Sequence, residues 1–307
     1  MATEPTDRTI VLNLLRGAVP EKDDEICRLW TDHGHDVEVA PSGPHLTMNA
    51  TSKRIKFDTK TIDFFWLLGF SAWNAVEVYA PALVFATISG LSVDASLKID
   101  GDRGPFELEF NQRVRAAHTL QSARQTSQIE WPVDIPMPTD DRESLSDAQS
   151  MAAFDLVGLA LAFALLHEMR HVLFRAAGNA PAERYEEELA CDIWARQMMT
   201  SNLADYARAN GHSFAEVEQK RAMGIALAAF IVHAMTPPHA RWGNEDYPPI
   251  SLRMRAMIAG YNLSEGSPFW FFTACLLVSI MRQEGRPLDF VAASAKEMVE
   301  VLLDQLT

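Results

Sequence analysis

Leu165-Leu166-His167-Glu168-Met169-Arg170-His171 is the run that decides how the chain reads. It is a His-Glu-x-x-His pattern inside a long apolar stretch, and the stretch predicts a helix. Two histidines four apart are separated by about 400° of helix rotation and about 6 Å of rise, so both project from one face. Tetrahedral metals accept imidazole pairs in that arrangement. Glu168 lies about 100° round from His167, off the ligand line but placed to reach a water at the metal. The pattern points to zinc hydrolase chemistry.

Working outward, Leu156, Leu159, Ala160 and Phe163 continue the apolar faces upstream. Ser144 and Ser146 offer N-caps, with Asp147 as an acid in the first turn, and Gly178-Asn179 supplies a stop. The segment predicts a helix of about 30 residues, ~45 Å long, ending at Ala177. A helix apolar nearly all round is buried. His167, Glu168, Arg170 and His171 are costly in such a helix unless they are paired, hydrated or coordinating. Downstream, Pro181 can start a second helix whose first turns carry Glu183, Glu186, Glu187 and Glu188. The preference for acids at a helix N-terminus accounts for Glu183 and Glu186. It accounts less well for Glu188 and Asp192, which are four apart on one face, with Asp192 set among Ala190, Cys191, Ile193 and Trp194.

His167-Glu168-x-x-His171 followed by Glu188-x-x-x-Asp192 resembles the gluzincin class of zinc peptidases. The resemblance implies one zinc ion held by His167, His171 and Glu188, with Glu168 as general base. It also implies that Asp192 accepts a hydrogen bond from the outer nitrogen of His167 and so fixes its tautomer. Asp246-Tyr247-Pro248-Pro249-Ile250-Ser251-Leu252-Arg253 resembles a proline-containing segment with a following Arg in related peptidases, where His often stands in place of Tyr247. Tyr247, Arg253, His233 and His239 are candidates for contacting the oxyanion or the substrate. The general layout is similar to that of the bacterial phage-exclusion peptidases.

The remaining sequence sets the frame. The fold expected is α+β and predominantly α-helical, zincin-like, with a small sheet or hairpin before the active-site helix. Residues 1–60 read as a mixed α/β segment and 61–307 as a mainly helical catalytic domain, or the two as one continuous domain. Asp36–Ala40 and Arg54–Phe57 alternate as strands do. His33-Gly34-His35 reads as a solvated loop rather than a metal pair. Thr61–Thr87 reads as aromatic-rich core helix, on which Glu77 is a candidate partner for a metal ligand. Ser92–Phe110 reads as a hairpin turning at Asp100-Gly101, a candidate edge for holding substrate by strand addition. Asn111–Thr126 reads as a helix with Asn111 at its N-cap.

A hydrophobic content of 48% makes a packed core feasible, and a net charge of −14 with no long Lys/Arg run argues against nucleic-acid binding. Three scattered cysteines, Cys27, Cys191 and Cys275, form no disulfide framework. With a polar, acidic start and no apolar signal core, they suggest a cytoplasmic protein. Four apolar stretches, Phe64–Leu91, Leu156–Leu166, Met223–Met235 and Pro268–Met281, are interrupted or shorter than the ~20 residues of a span, so no membrane crossing is expected.

The expected activity is zinc-dependent endopeptidase action on a protein or peptide. Three rival readings stand beside it. A di-iron bundle needs a second Glu-x-x-His, and no other Glu has a His three residues later. A zincin-like fold can be catalytically silent, serving in binding or regulation. A helical protein can also carry the motif by chance.

Overall fold

The computed structural model describes residues 7–33, 36–138 and 141–306. The Gly34-His35 part of the loop noted above, like Thr139 and Asp140, lies outside the described residues. Two helices come first, α1 (Asp7–Ala18) and α2 (Asp23–Asp32), then strands β1 (Asp36–Ala40), β2 (Met48–Ala50) and β3 (Arg54–Asp58). The helices α3 (Thr59–Ser89), α4 (Val93–Ile99), α5 (Gly104–Ser122), α6 (Ala148–Ala177) and α7 (Arg184–Thr200) follow. The chain closes with α8 (Leu203–Asn210), α9 (Phe214–Met235), α10 (Ile250–Ile258), α11 (Pro268–Gln283) and α12 (Ala295–Gln305). This is a predominantly helical α+β architecture with one small sheet, consistent with a zincin-like fold.

The sheet runs β1-β3-β2, parallel between β1 and β3 and antiparallel between β2 and β3. Ile55 and Phe57 of β3 are buried while Lys56 between them is not, the alternation a half-buried strand requires. The strand passes straight into α3 because Asp58 caps the helix, its carboxylate accepting from the Thr61 N–H at 2.7 Å. β2 is an edge strand. Its neighbours Thr47 and Thr51 bond to Asp58 and Arg54, so the intervening Met48 and Ala50 turn their peptide groups away from β3.

α6 lies at the centre, packed against α9, α7, α3 and α1. Two glycines make that packing possible. A Cβ on Gly69 of α3 would lie 2.2 Å from Val157 Cγ2, and one on Gly224 of α9 would lie 2.4 Å from Leu159 Cβ. The apolar core is a single cluster that joins Leu15, Trp30 and Ile55 to residues as distant as Phe269 and Leu303. By length and composition alone, α3 and α6 are long and apolar enough to cross a membrane, yet most of each is buried inside this fold. The helix at 148–177 has the 30 residues and the end at Ala177 that the sequence predicted, and so reaches spanning length although its most apolar stretch, Leu156–Leu166, does not.

Several expectations are corrected. Ser92–Phe110 is helical, not a hairpin: Ser92 caps α4 by accepting from the Ala95 N–H at 3.3 Å, and Gly104-Pro105 opens α5. Phe110, Val114, Ala117 and Leu120 are the buried residues of α5, a helical spacing, whereas Ile99, Phe106 and Leu108 of the supposed strands are exposed. Asn111 lies inside α5 rather than at its start. The N-cap of α6 is Asp147, which accepts from the Ser150 N–H at 2.7 Å; a carboxylate does this better than a hydroxyl because it also meets the positive helix end. Gly178 ends α6 in the left-handed region at φ +64°, as the sequence suggested.

Candidate metal centre

The centre is built by α6, α7 and α10. From α6 come His167 and His171, one turn apart and buried. Their Nε2 atoms approach to 3.2 Å. From α7 comes the buried Glu188, whose Oε2 lies 3.4 Å from His167 Nε2 and whose Oε1 lies 3.5 Å from His171 Nε2. A tetrahedron whose vertices stand ~2.1 Å from a central zinc has edges of about 3.4 Å. Each observed separation is close to that edge length, the two to Glu188 being to different oxygens of its carboxylate. Two imidazole nitrogens and a carboxylate oxygen are also a donor set that suits zinc, so these residues fit the ion that the sequence implied.

Each imidazole has an acid on its far side. His167 Nδ1 is 2.8 Å from Asp192 Oδ1, although its N–H direction is not aligned on that oxygen. His171 Nδ1 is 2.5 Å from Glu187 Oε1. Asp192, fully buried, is in turn gripped by Arg253 of α10, with Nε to Oδ2 at 2.8 Å and Nη2 to Oδ1 at 2.9 Å. The remaining nitrogen of Arg253 sits 3.4 Å from Glu188 Oε2. A buried carboxylate needs this kind of paired donor to stay ionised.

The electrostatics follow from that geometry. Burial opposes charge on His167, but Asp192 and Glu188 outweigh it and push its pKa up to about 10. Burial likewise opposes the Glu188 carboxylate, and His167, Arg253 and His171 outweigh it and lower its pKa to about 2. Asp192 is held well below the usual carboxylate range, against burial, by Arg253 and His167. His171 is lowered, first by burial and then by the charge on His167. Glu168 behaves oppositely to Glu188: burial raises it, and the neighbouring Glu188 adds to the rise. Its carboxylate has no hydrogen-bond or ion-pair partner among the described residues.

These groups line a cavity of about 430 Å³. Its walls are Met48, Asn49 and Ala50 of the β2 edge, Phe163 and Ala164 of α6, and the segment from Met235 to Arg253. The structure therefore gathers His167, Glu168, His171, Glu188, Tyr247 and Arg253 around one space, with Asp192 behind. It places His233 elsewhere, its Nε2 3.3 Å from Glu284, and His239 is exposed outside the lining. Glu77 is also remote: it is a surface residue bonded to Asn74 and Gln149. A second cavity, of about 500 Å³ between α1, α6, α8 and α9, holds none of these groups. His167, His171 and Glu188 form the metal-ligating cluster found among the described residues.

Two contributions were missed by sequence reading. Glu187 was absorbed into the acid run at the start of α7, and nothing in a run of three glutamates distinguishes the one that meets His171. Arg253 was noted as a contact for substrate, not as the cation that holds Asp192, a pairing across 61 residues that has no local signal.

A family model described as Peptidase U49 matches residues 55–273, well over half of the chain. Comparisons with curated proteins and with solved structures return no match.

Proposed function

The chain belongs to the peptidase U49 family, and from that premise we propose that it is a zinc-dependent endopeptidase with His167, His171 and Glu188 as the ligands. Family membership and the metal-ligating cluster together support a metal-dependent peptidase in general terms. The observation that carries the finer reading is Glu188, brought from a second helix to within 3.4 and 3.5 Å of both imidazoles.

Zinc held there supplies Lewis acidity toward a substrate carbonyl and an attacking water. The chain's own residues do the rest. Glu168 lines the same cavity with a free carboxylate whose proton affinity is raised by burial, which suits it to take a proton from water and return it to the leaving amine. Asp192, locked by Arg253, fixes the ring of His167. Tyr247 and Arg253 both line the cavity and remain the candidates for meeting the oxyanion. The edge for strand addition moves from the segment 92–110 to β2, whose outward peptide groups face the cleft beside α6.

The substrate proposed is a protein or peptide, and nucleic acid is not among the proposed partners of so acidic a chain. Three free cysteines support a cytoplasmic location, and the burial of α3 and α6 within the fold supports a protein that does not span a membrane. The place of this chain near the phage-exclusion peptidases is part of the same proposal and rests on the layout of its motifs.

The test is metal content measured beside hydrolysis of a mixed peptide pool. The native chain is expected to bind one zinc and cleave peptides internally, and His171→Ala to lose both. Stoichiometric zinc without cleavage of any peptide would favour the silent, regulatory reading. Equal metal content in the two proteins would remove the centre altogether.

A further inference from the structure

The chain carries a net charge of −14, yet its cleft is charged the other way. The acids in the lining are Glu168 and Glu188, both part of the metal cluster, and Arg253 is tied to Asp192 and Glu188. The other charged residues of the lining are Arg175 and Arg184. Both are exposed, and neither has a carboxylate partner among the described residues.

Their places in the chain put them together. Arg175 is one turn beyond His171 on α6, and Arg184 is one turn before Glu188 on α7. Both thus stand at the end of the cleft where the two helices connect, about one helical turn, ~5 Å, from a ligand. Arg175 Nη1 reaches the β2 edge and donates to the Ala50 carbonyl at 2.5 Å. Arg184 stacks over the ring of Tyr247 at 4.7 Å.

Helix stability explains Arg175, a cation in the last turn of its helix. It does not explain Arg184, which begins α7 where a cation meets the positive helix end. A positive pair at the mouth of an otherwise acidic protein is a local inversion of sign, and such inversions concentrate ligands of the opposite charge.

We propose that Arg175 and Arg184 select a peptide with an acidic side chain close to, and on one side of, the bond that is cut. The inference rests on the peptidase reading and names the substrate class of that site.

The experiment measures binding and cleavage separately. Zinc-loaded Glu168→Gln protein is titrated with fluorescein-labelled alanine-based decapeptides in which one Glu, Gln or Lys is walked through the central positions. Glu is expected to bind about tenfold tighter than Gln at one or two adjacent positions, with Lys weakest, and the preference is expected to shrink as salt rises. Arg175→Gln with Arg184→Gln should erase the preference while the melting temperature and zinc content are retained. Arg184→Lys should keep most of it and guards against a variant that merely loosens the Tyr247 stack. Equal binding of Glu and Gln peptides, or a preference that survives the double variant, overturns the proposal. Cleavage of the same peptides by the native chain is scored on its own. If acidic peptides bind preferentially but none is cut, the hydrolase reading falls and the selectivity stands.

Discussion

Helices α3 and α6 are near twins as sequence: 31 and 30 residues, both apolar enough to span a bilayer, both carrying a few polar groups, both buried. They differ in who satisfies those groups. On α3 the fully buried Lys60 is held by three neutral backbone carbonyls, those of Gly43, Gln121 and Ala123. Glu77 of the same helix simply reaches the surface. On α6 the buried His167 and His171 meet charged side chains from α7, and two of those, Asp192 and Glu188, meet a guanidinium from α10. Arg170, between the two histidines in sequence, is packed instead against Phe174 and Trp194, 4.0 and 5.5 Å from their ring centres. A polar residue in an apolar helix is therefore no mark of chemistry in itself. What sets the two histidines of α6 apart from Lys60 is that their partners are ionised side chains contributed by another element.

The contrast can be broken at either helix. The largest effect is expected at Glu168, the α6 acid left without a partner. Glu168→Gln should lower kcat/KM by about 10²–10⁴-fold with zinc content unchanged, checked by steady-state kinetics beside metal analysis. Full activity in that variant would end its assignment as the base. Next is Arg253→Ala, which strands the buried Asp192 and should cost about 3–5 kcal/mol in denaturant unfolding, with weaker zinc binding.

A pH scan of the metal-free protein sharpens the same point. The pKa of His167, raised to about 10 in the fold, exceeds its unfolded value near ~6.5. Its contribution to stability is thus complete below pH ~6.5 and is lost as pH rises through about 10, by on the order of a few kcal/mol. His167→Gln should flatten that slope in thermal melts, and an unchanged slope would assign it to other groups. On α3, Lys60→Met should cost less, about 1–3 kcal/mol, by orphaning carbonyls, and should leave any peptidase activity per folded molecule intact. Glu77→Gln is expected to change stability by no more than about 0.5 kcal/mol, read by the same melts.

The parts of the fold that could be read in advance were those with a local cause. The His167–His171 spacing, the Gly178 stop and the two strands around Val37 and Ile55 all depend on residues within a few positions of one another. Glu188 and Asp192 share a face of their own helix by spacing, but their pairing with the histidines came from the resemblance to the gluzincin pattern. The segment 92–110 misled because a short alternation of apolar residues ending at Asp-Gly resembles a hairpin, while the deciding burial lies further on, at Val114, Ala117 and Leu120. β2, only three residues long, carries too little pattern to be seen, yet it forms a wall of the cleft. Arg253 on Asp192 and Lys60 on its carbonyls are tertiary pairings, set by where helices pack.

Gly69 and Gly224 act on the site without touching it. They let α3 and α9 grip α6 at Val157 and Leu159, while the imidazoles stand about 12 to 21 Å further along the same rod. Over that lever arm a tilt of roughly 5° at the grip becomes about 1 to 2 Å at the rings, several times the ~0.2 Å tolerance of a metal–ligand bond. The aim of the ligands is thus governed by two absent methyl groups well away from the site. A bulkier residue at either position would misdirect the site mechanically, with every ligand still in place.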